Sequence, residues 1–196
     1  MKREDIRELH YVTPIDNVTT ILQLGILSHV QASPVDHLSI AMEQIQAKRA
    51  NKRIPGARRL HEYVNLYFDA HNPMLSKVRA QNDTICVLRF HGGVLDLPGV
   101  IVADRNASSD YVVFRPVATG LDLLDSSRVF AQYWTHPDDP IDEMRHKSEK
   151  CAEVLVPDRV SPEFIIGAYV ANPAALHRWQ ALGVHVTVEV RHGFFF

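Results

Sequence analysis

Two residues stand where their chemistry needs an explanation. Glu153 opens the short apolar run Glu153-Val154-Leu155-Val156, which Pro157 closes. A carboxylate loses several kcal/mol of hydration when it enters an apolar strand, so this acid either faces water or has a partner and a task. Arg49 is the second. On a helix predicted over Ser39–Asn51, Met42, Ile45 and Arg49 follow one another at helical steps and share one inward stripe. Lys48 and Lys52 project from a neighbouring face. A guanidinium on an inward stripe needs an anion or a ligand. A buried acid offers charge stabilisation or proton acceptance, and a buried arginine offers a grip on a phosphate or carboxylate.

Other chemistry is thinner. The eleven histidines include no pair at metal-ligand spacing on a helix, and there is no Cys-x-x-Cys, so no metal site is expected. The two cysteines, Cys86 and Cys151, read as free buried thiols rather than a disulfide framework. Lys48, Arg49, Lys52, Arg53, Arg58 and Arg59 crowd residues 48–59 with no acid among them. Such a patch can neutralise phosphates although the whole chain has a net charge of −2. On composition alone, a solvated helix face and loop is the simpler account.

With 196 residues, 46% of them hydrophobic, the chain is long enough for one soluble domain over residues 1–196 with its own core. No apolar run approaches the roughly 18 residues of a membrane helix, and no apolar segment follows the charged Met1–Asp5 as in a signal peptide. A cytoplasmic, monomeric protein is expected.

The positioning elements follow from periodicity and punctuation. Residues 9–13 read as a strand. A helix then starts with Thr13 as N-cap and Pro14 at its first position, and ends at Gly25. Residues 29–38 read as loop. Ile54-Pro55-Gly56 breaks the second helix. Strands are predicted over 63–68 and 84–90, a short one over 100–102, and another over 111–114. Pro73 makes a corner after the 63–68 strand. The charged residues 141–150 form a surface loop or helix before the Glu153 strand. Residues 164–170 form a strand, Asn172-Pro173 starts a helix closed by Gly183, and alternation over 184–191 predicts a last strand. Helices and strands do not alternate regularly, so the class is α+β with a mainly antiparallel or split sheet.

Several stretches together resemble the DarT family of toxins, NAD-dependent ADP-ribosyltransferases that modify bases in single-stranded DNA. They are Thr13-Pro14-Ile15-Asp16-Asn17 with Ile21-Leu22 and Gly25; Ser39-Ile40-Ala41 followed by Ile45-Gln46-Ala47-Lys48-Arg49; Leu60-His61-Glu62-Tyr63-Val64 leading to Leu66-Tyr67-Phe68; Asn72-Pro73-Met74-Leu75; Tyr133-Trp134; and Ala152-Glu153-Val154-Leu155-Val156. The resemblance implies an ADP-ribosyltransferase-like split β-sandwich with flanking helices, NAD as co-substrate, and Arg49 and Glu153 as the catalytic pair. It also implies a macrodomain antitoxin as partner. Arg53, Arg58 and Arg59 would then track a strand's phosphates, with Tyr63, Tyr67 or Trp134 stacking on a base, although a core position is the simpler account of Trp134. Tyr67 is read as part structural and part cleft-lining. Asn17 either caps its helix or binds NAD.

Two departures from the family pattern bear on the ligands. The family's first strand typically reads Tyr-His-Ile-Thr, with the His toward NAD. Here Tyr11 takes that position and His10 takes the Tyr position, so alternation puts Tyr11 and Thr13 on the cleft side unless a bulge turns His10 in. The family often has Arg-Ser-Pro-Met where this chain has His71-Asn72-Pro73-Met74. Those residues are expected near the acceptor, which leaves thymidine and guanosine both open. Rival readings are the same transfer to RNA or another acceptor, and a nucleic-acid-binding module without turnover.

Overall fold

In the computed structural model, which describes residues 1–196, the first long strand, β1 (Glu8–Pro14), runs on through Thr13 rather than stopping to cap a helix. A single 3-10 turn over Ile15–Asn17 follows, then α1 (Val18–Leu24), which Gly25 ends at φ 79°. A Cβ at Gly25 would meet the Val160 carbonyl at 2.3 Å, so this close crossing requires glycine. The short strand β2 (Ile26–Leu27) leads to α2 (His29–Ala32), capped by Ser28, where the sequence suggested loop. The next helix, α3 (Glu43–Asn51), starts four residues later than predicted. Met42 therefore lies outside it and is exposed, while Arg49 keeps its inward place.

A loop with a turn at Pro55-Gly56 leads to β3 (Tyr63–Tyr67). The corner at Pro73 opens α4 (Pro73–Lys77), and β4 (Ile85–His91) follows. Then come β5 (Ile101–Ala103) and β6 (Phe114–Pro116), the latter starting where the predicted 111–114 strand was to end. Three helices, α5 (Val117–Gly120), α6 (Ser126–Val129) and α7 (Pro140–Glu149), precede β7 (Glu153–Pro157). The chain closes with β8 (Arg159–Val160), β9 (Ile165–Val170), α8 (Pro173–Ala181) and β10 (Val188–Val190). Only the end of the alternating 184–191 run pairs, and it does so in parallel with β9.

Eight strands lie in the order β10-β9-β4-β1-β3-β7-β5-β6. The continuity is nominal at one point. β1 pairs with β4 along seven positions and β3 pairs with β7 along five, but β1 meets β3 only at His10↔Tyr67. From that pair the antiparallel strands part, β1 toward Pro14 and β3 back toward Tyr63. The sheet is thus two four-stranded halves joined at one vertex, the split arrangement expected. The largest core cluster packs Leu9, Leu66, Leu88, Val154 and Val170 against α1 and α8. A second cluster gathers Val12, Tyr67, Leu75, Val87 and Cys151, so each cluster draws on both halves and hydrophobic burial fastens them together beside the fork.

Candidate active site

A cavity of about 1180 Å³ occupies the fork. β1 lines it with Tyr11, Val12, Thr13 and Pro14, and β3 lines it with Tyr63, Val64, Asn65 and Tyr67. α3 adds Ile45, Lys48 and Arg49, and the segments 37–42 and 105–111 complete the wall with one side of α7. Pockets built for one drug-sized ligand run about 300–1,000 Å³. This one exceeds that range, which suits two ligands meeting.

The loops are tied down by side chains rather than ladders. Asn17 stands at the start of α1 but makes no capping bond. Its amide instead donates to the Leu38 carbonyl at 2.8 Å and to Thr13 Oγ1 at 3.3 Å, while its Oδ1 accepts from the Leu38 amide at 3.0 Å. That fixes the segment after α2 beside β1. Across the cavity, Lys52 Nζ donates to the Ser109 carbonyl and holds the 105–111 loop against the end of α3.

Arg49 and Glu153 meet in this frame. Arg49 lies in the last turn of α3, where the helix dipole favours a cation. Its Nη1 and Nη2 donate to Glu153 Oε1 and Oε2, each at 3.1 Å. The Ala107 amide donates to Oε1 at 2.9 Å. Glu153 can be this deep because its ladder partner on β5 is the small Ala103 and its partner on β3 is Tyr67. Its side chain is wholly buried, and Arg49 stands between it and the cavity. Burial works against the Arg49 charge, but the Glu153 carboxylate more than offsets this and holds its pKa up.

Two phenols face the same cavity. Burial, and then the charge of Glu153, push the Tyr67 hydroxyl well above its usual value, and burial also raises Tyr11. Both remain protonated donors in the ordinary pH range. Cys151, beneath them, is pushed up to about 12 by burial and by Glu153. It is a packed thiol, not a nucleophile. The arrangement offers a carboxylate held at a fixed point, a guanidinium beside it and two neutral donors, which suits stabilising a developing cation next to a bound phosphate.

Of the residues singled out in the sequence, Tyr11, Thr13, Asn17, Arg49, Tyr67 and Met74 line the cavity. Others do not. His10 is buried on the other side of β1, where its Nε2 pairs with Glu8 at 3.0 Å and its ring packs on Phe194. No bulge turns it in, so the alternation of Tyr11 and Thr13 decides that question. His71 is buried and stacked on Phe196, with its Nδ1 2.9 Å from the Phe194 carbonyl and its Nε2 beside Gln132. Asn72 is wholly buried as the cap of α4, accepting from the Met74 and Leu75 amides. Both side chains are taken up by the fold and neither lines the cavity, against their expectation as nucleic-acid contacts. Arg53, Arg58 and Arg59 are exposed but stand outside the cavity wall. Arg58 is paired with Asp158 at 2.6 Å. Trp134 is half-buried against the edge of the His71–Phe196 stack, and it lies neither in a core cluster nor on the cavity wall.

Sequence reasoning missed the rim that the 105–111 loop and α7 form. Tyr111, Ile141 and Met144 are largely exposed at the cavity, with Arg145 and Lys147 beside them. The signal was the spacing of Ile141 and Met144, three residues apart on one helix face amid charges.

The family model described as "ssDNA thymidine ADP-ribosyltransferase, DarT" matches residues 10–196. A DNA ADP-ribosyl transferase–DNA ADP-ribosyl glycohydrolase fusion protein of Thermosipho africanus is 29% identical over 176 residues, covering 85% of this chain and 43% of that protein. The chain thus spans less than half of that relative's length. A DNA ADP-ribosyl transferase of Thermus sp. strain 2.9 is 30% identical over 160 residues, covering 76% of this chain and 73% of the relative. The Thermosipho africanus DarTG structure in complex with ADP-ribose superposes with a TM-score of 0.83 at 27% identity, over 97% of this chain and 51% of that one. The Thermus sp. 2.9 DarT structure in complex with ADP-ribosylated ssDNA shares the fold at a TM-score of 0.82 and 24% identity, over 98% and 97% of the two chains.

Proposed function

The chain belongs to the DarT family, and from that premise we propose that it transfers ADP-ribose from NAD to a base in single-stranded DNA, releasing nicotinamide. The family description names thymidine, and thymidine is the base proposed. One observation carries the reading: a buried Arg49–Glu153 pair at the edge of a cavity that lies in the fork of a split sheet and is large enough for both substrates.

NAD supplies the ribosyl group and the nicotinamide leaving group. Tyr11, Thr13 and Tyr67 would hold the dinucleotide along the fork. Arg49 would grip an anionic part of it. Glu153 would hold a ribose hydroxyl, stabilise positive charge at the ribosyl carbon and accept the proton from the attacking base nitrogen. The exposed Tyr111, Ile141 and Met144 offer a base-stacking surface, with Arg145 and Lys48 for phosphates. Arg53 and Arg59 would extend that path outside the cavity. The reading carries with it a cytoplasmic location, where NAD and DNA are both met, and a monomer as the acting form. A glycohydrolase such as that fused to the Thermosipho relative is the partner that would reverse the mark.

Mass spectrometry of a mixed-sequence single-stranded oligonucleotide after incubation with NAD tests this. One added ADP-ribose on thymidine is expected. Modification of a matched RNA alone would replace the DNA reading with the RNA one. Absence of both modification and nicotinamide release would leave a binding module.

A further inference from the structure

Lys150 is wholly buried, and nothing proposed for the reaction uses it. Its Nζ forms an ion pair with Asp69 and donates to the Val129 carbonyl at 2.7 Å. Asp69 passes the constraint on. Its Oδ1 accepts from the His71 amide at 2.9 Å, and its carbonyl accepts from Asn72 Nδ2 at 2.9 Å. Asn72 in turn caps α4, which carries Met74 to the cavity wall.

The location gives this cluster its meaning. The β3–β7 ladder ends at Tyr67↔Glu153, so the two residues nearest the chemistry form its last pair. On the other side, Tyr67 is also the single residue through which β3 meets β1. Ladder ends open locally at far lower free energy than a whole domain unfolds. Lys150 and Asp69 lie just beyond this end, one from each strand's continuation. Burial lowers the lysine's pKa and Asp69 counters it, as a buried pair would. Two apolar side chains there would often be as stable or more so, which makes a purely stabilising role a poor account of a buried ion pair.

We infer that Lys150 is a positioning residue: through Asp69 it keeps the end of the β3–β7 ladder closed, and so holds Glu153 and Tyr67 in register against Arg49. The consequence for turnover rests on the transferase reading. The consequence for the ladder does not.

The test compares wild type, Lys150→Met, Asp69→Leu and the Lys150→Met/Asp69→Leu double variant. Two readouts are used: turnover with NAD and a single-stranded oligonucleotide, and alkylation rates of the two thiols. Cys151 lies between Lys150 and Glu153, whereas Cys86 lies on β4, and both are buried. The double variant is expected to recover thermal stability lost in the single ones. Its kcat stays down by roughly ten- to a hundredfold with KM for NAD little changed, as for a catalytic group displaced by about 1 Å. Cys151 alkylation rises at least about tenfold while Cys86 stays protected, which reads local opening. A folded double variant with wild-type kcat and a protected Cys151 would overturn the inference, as would equal exposure of both thiols. If the wild type transfers nothing, the transferase reading fails, and selective Cys151 exposure alone decides whether Lys150 closes the ladder.

Discussion

Arg49 seals Glu153 from the cavity. The carboxylate accepts both guanidinium Nη atoms at 3.1 Å and the Ala107 amide at 2.9 Å, and its side chain has no exposed surface. A carboxylate has about four lone-pair sites, so three are taken. A ligand hydroxyl reaches the fourth only if Arg49 shifts. In the proposed reaction an anion bound in the fork would draw Arg49 off the carboxylate and open that fourth site to a ligand hydroxyl.

The pair also makes the two obvious variants unequal. Glu153→Gln keeps the shape and some hydrogen bonds. Glu153→Ala strands a buried guanidinium, which costs about 3–5 kcal/mol. Both should lose transfer. Urea denaturation should show the alanine variant much less stable than the glutamine one. Near-wild-type transfer by Glu153→Gln would remove Glu153 from the chemistry.

Arg49→Lys tests the guanidinium itself. Lysine keeps the charge but cannot bridge both carboxylate oxygens or fork onto a phosphate. We expect transfer to fall by roughly 10²-fold with folding retained, read as kcat/KM for NAD. Activity within about twofold of wild type would show that charge alone suffices at this position.

The nucleic-acid path is separable by salt. Arg145 lines the cavity without an ion pair, while Arg58 already holds Asp158 on the surface. Arg145→Ala should weaken oligonucleotide binding and reduce the slope of log K against log salt by about 0.7, one phosphate contact to a single strand. Arg58→Ala should leave the slope unchanged. Fluorescence anisotropy across a salt series reads both, and an unchanged slope in Arg145→Ala would move the path elsewhere.

How much of this the chain discloses differs by kind of residue. Glu153 and Arg49 were legible because each violates a local rule, an acid on an apolar strand and a cation on an inward stripe. Tyr11 and Thr13 followed from strand alternation. His71 was misread because its carbonyl partners, Phe194 and Gln132, lie far along the chain; Asn72 was misread although its cap bonds, accepted from the Met74 and Leu75 amides, are local. A split sheet was expected, but not the place where it divides. A sheet's division at His10↔Tyr67 depends on which strands pair and where they stop. The Tyr111, Ile141 and Met144 rim depends on that same assembly.

That vertex should also be where acid acts. Glu8 sits at the start of β1, two residues before His10, and accepts from Arg89 Nε at 2.8 Å and the Tyr169 hydroxyl at 2.9 Å, with His10 Nε2 at 3.0 Å. Burial opposes its charge, but these bonds win and pull its pKa from 4.5 down to about 2. The folded value lies below the unfolded one, so the stabilisation is fully present above the unfolded value. It is lost as pH falls through the window between the two. Glu8→Gln should therefore lower stability by roughly 2–3 kcal/mol near neutral pH, and the gap to wild type should close as pH falls toward about 2. Urea midpoints at neutral pH, near pH 4 and near pH 3 follow the gap. A gap that stays constant over that range would mean the carboxylate's ionisation contributes nothing to holding β1 at the fork.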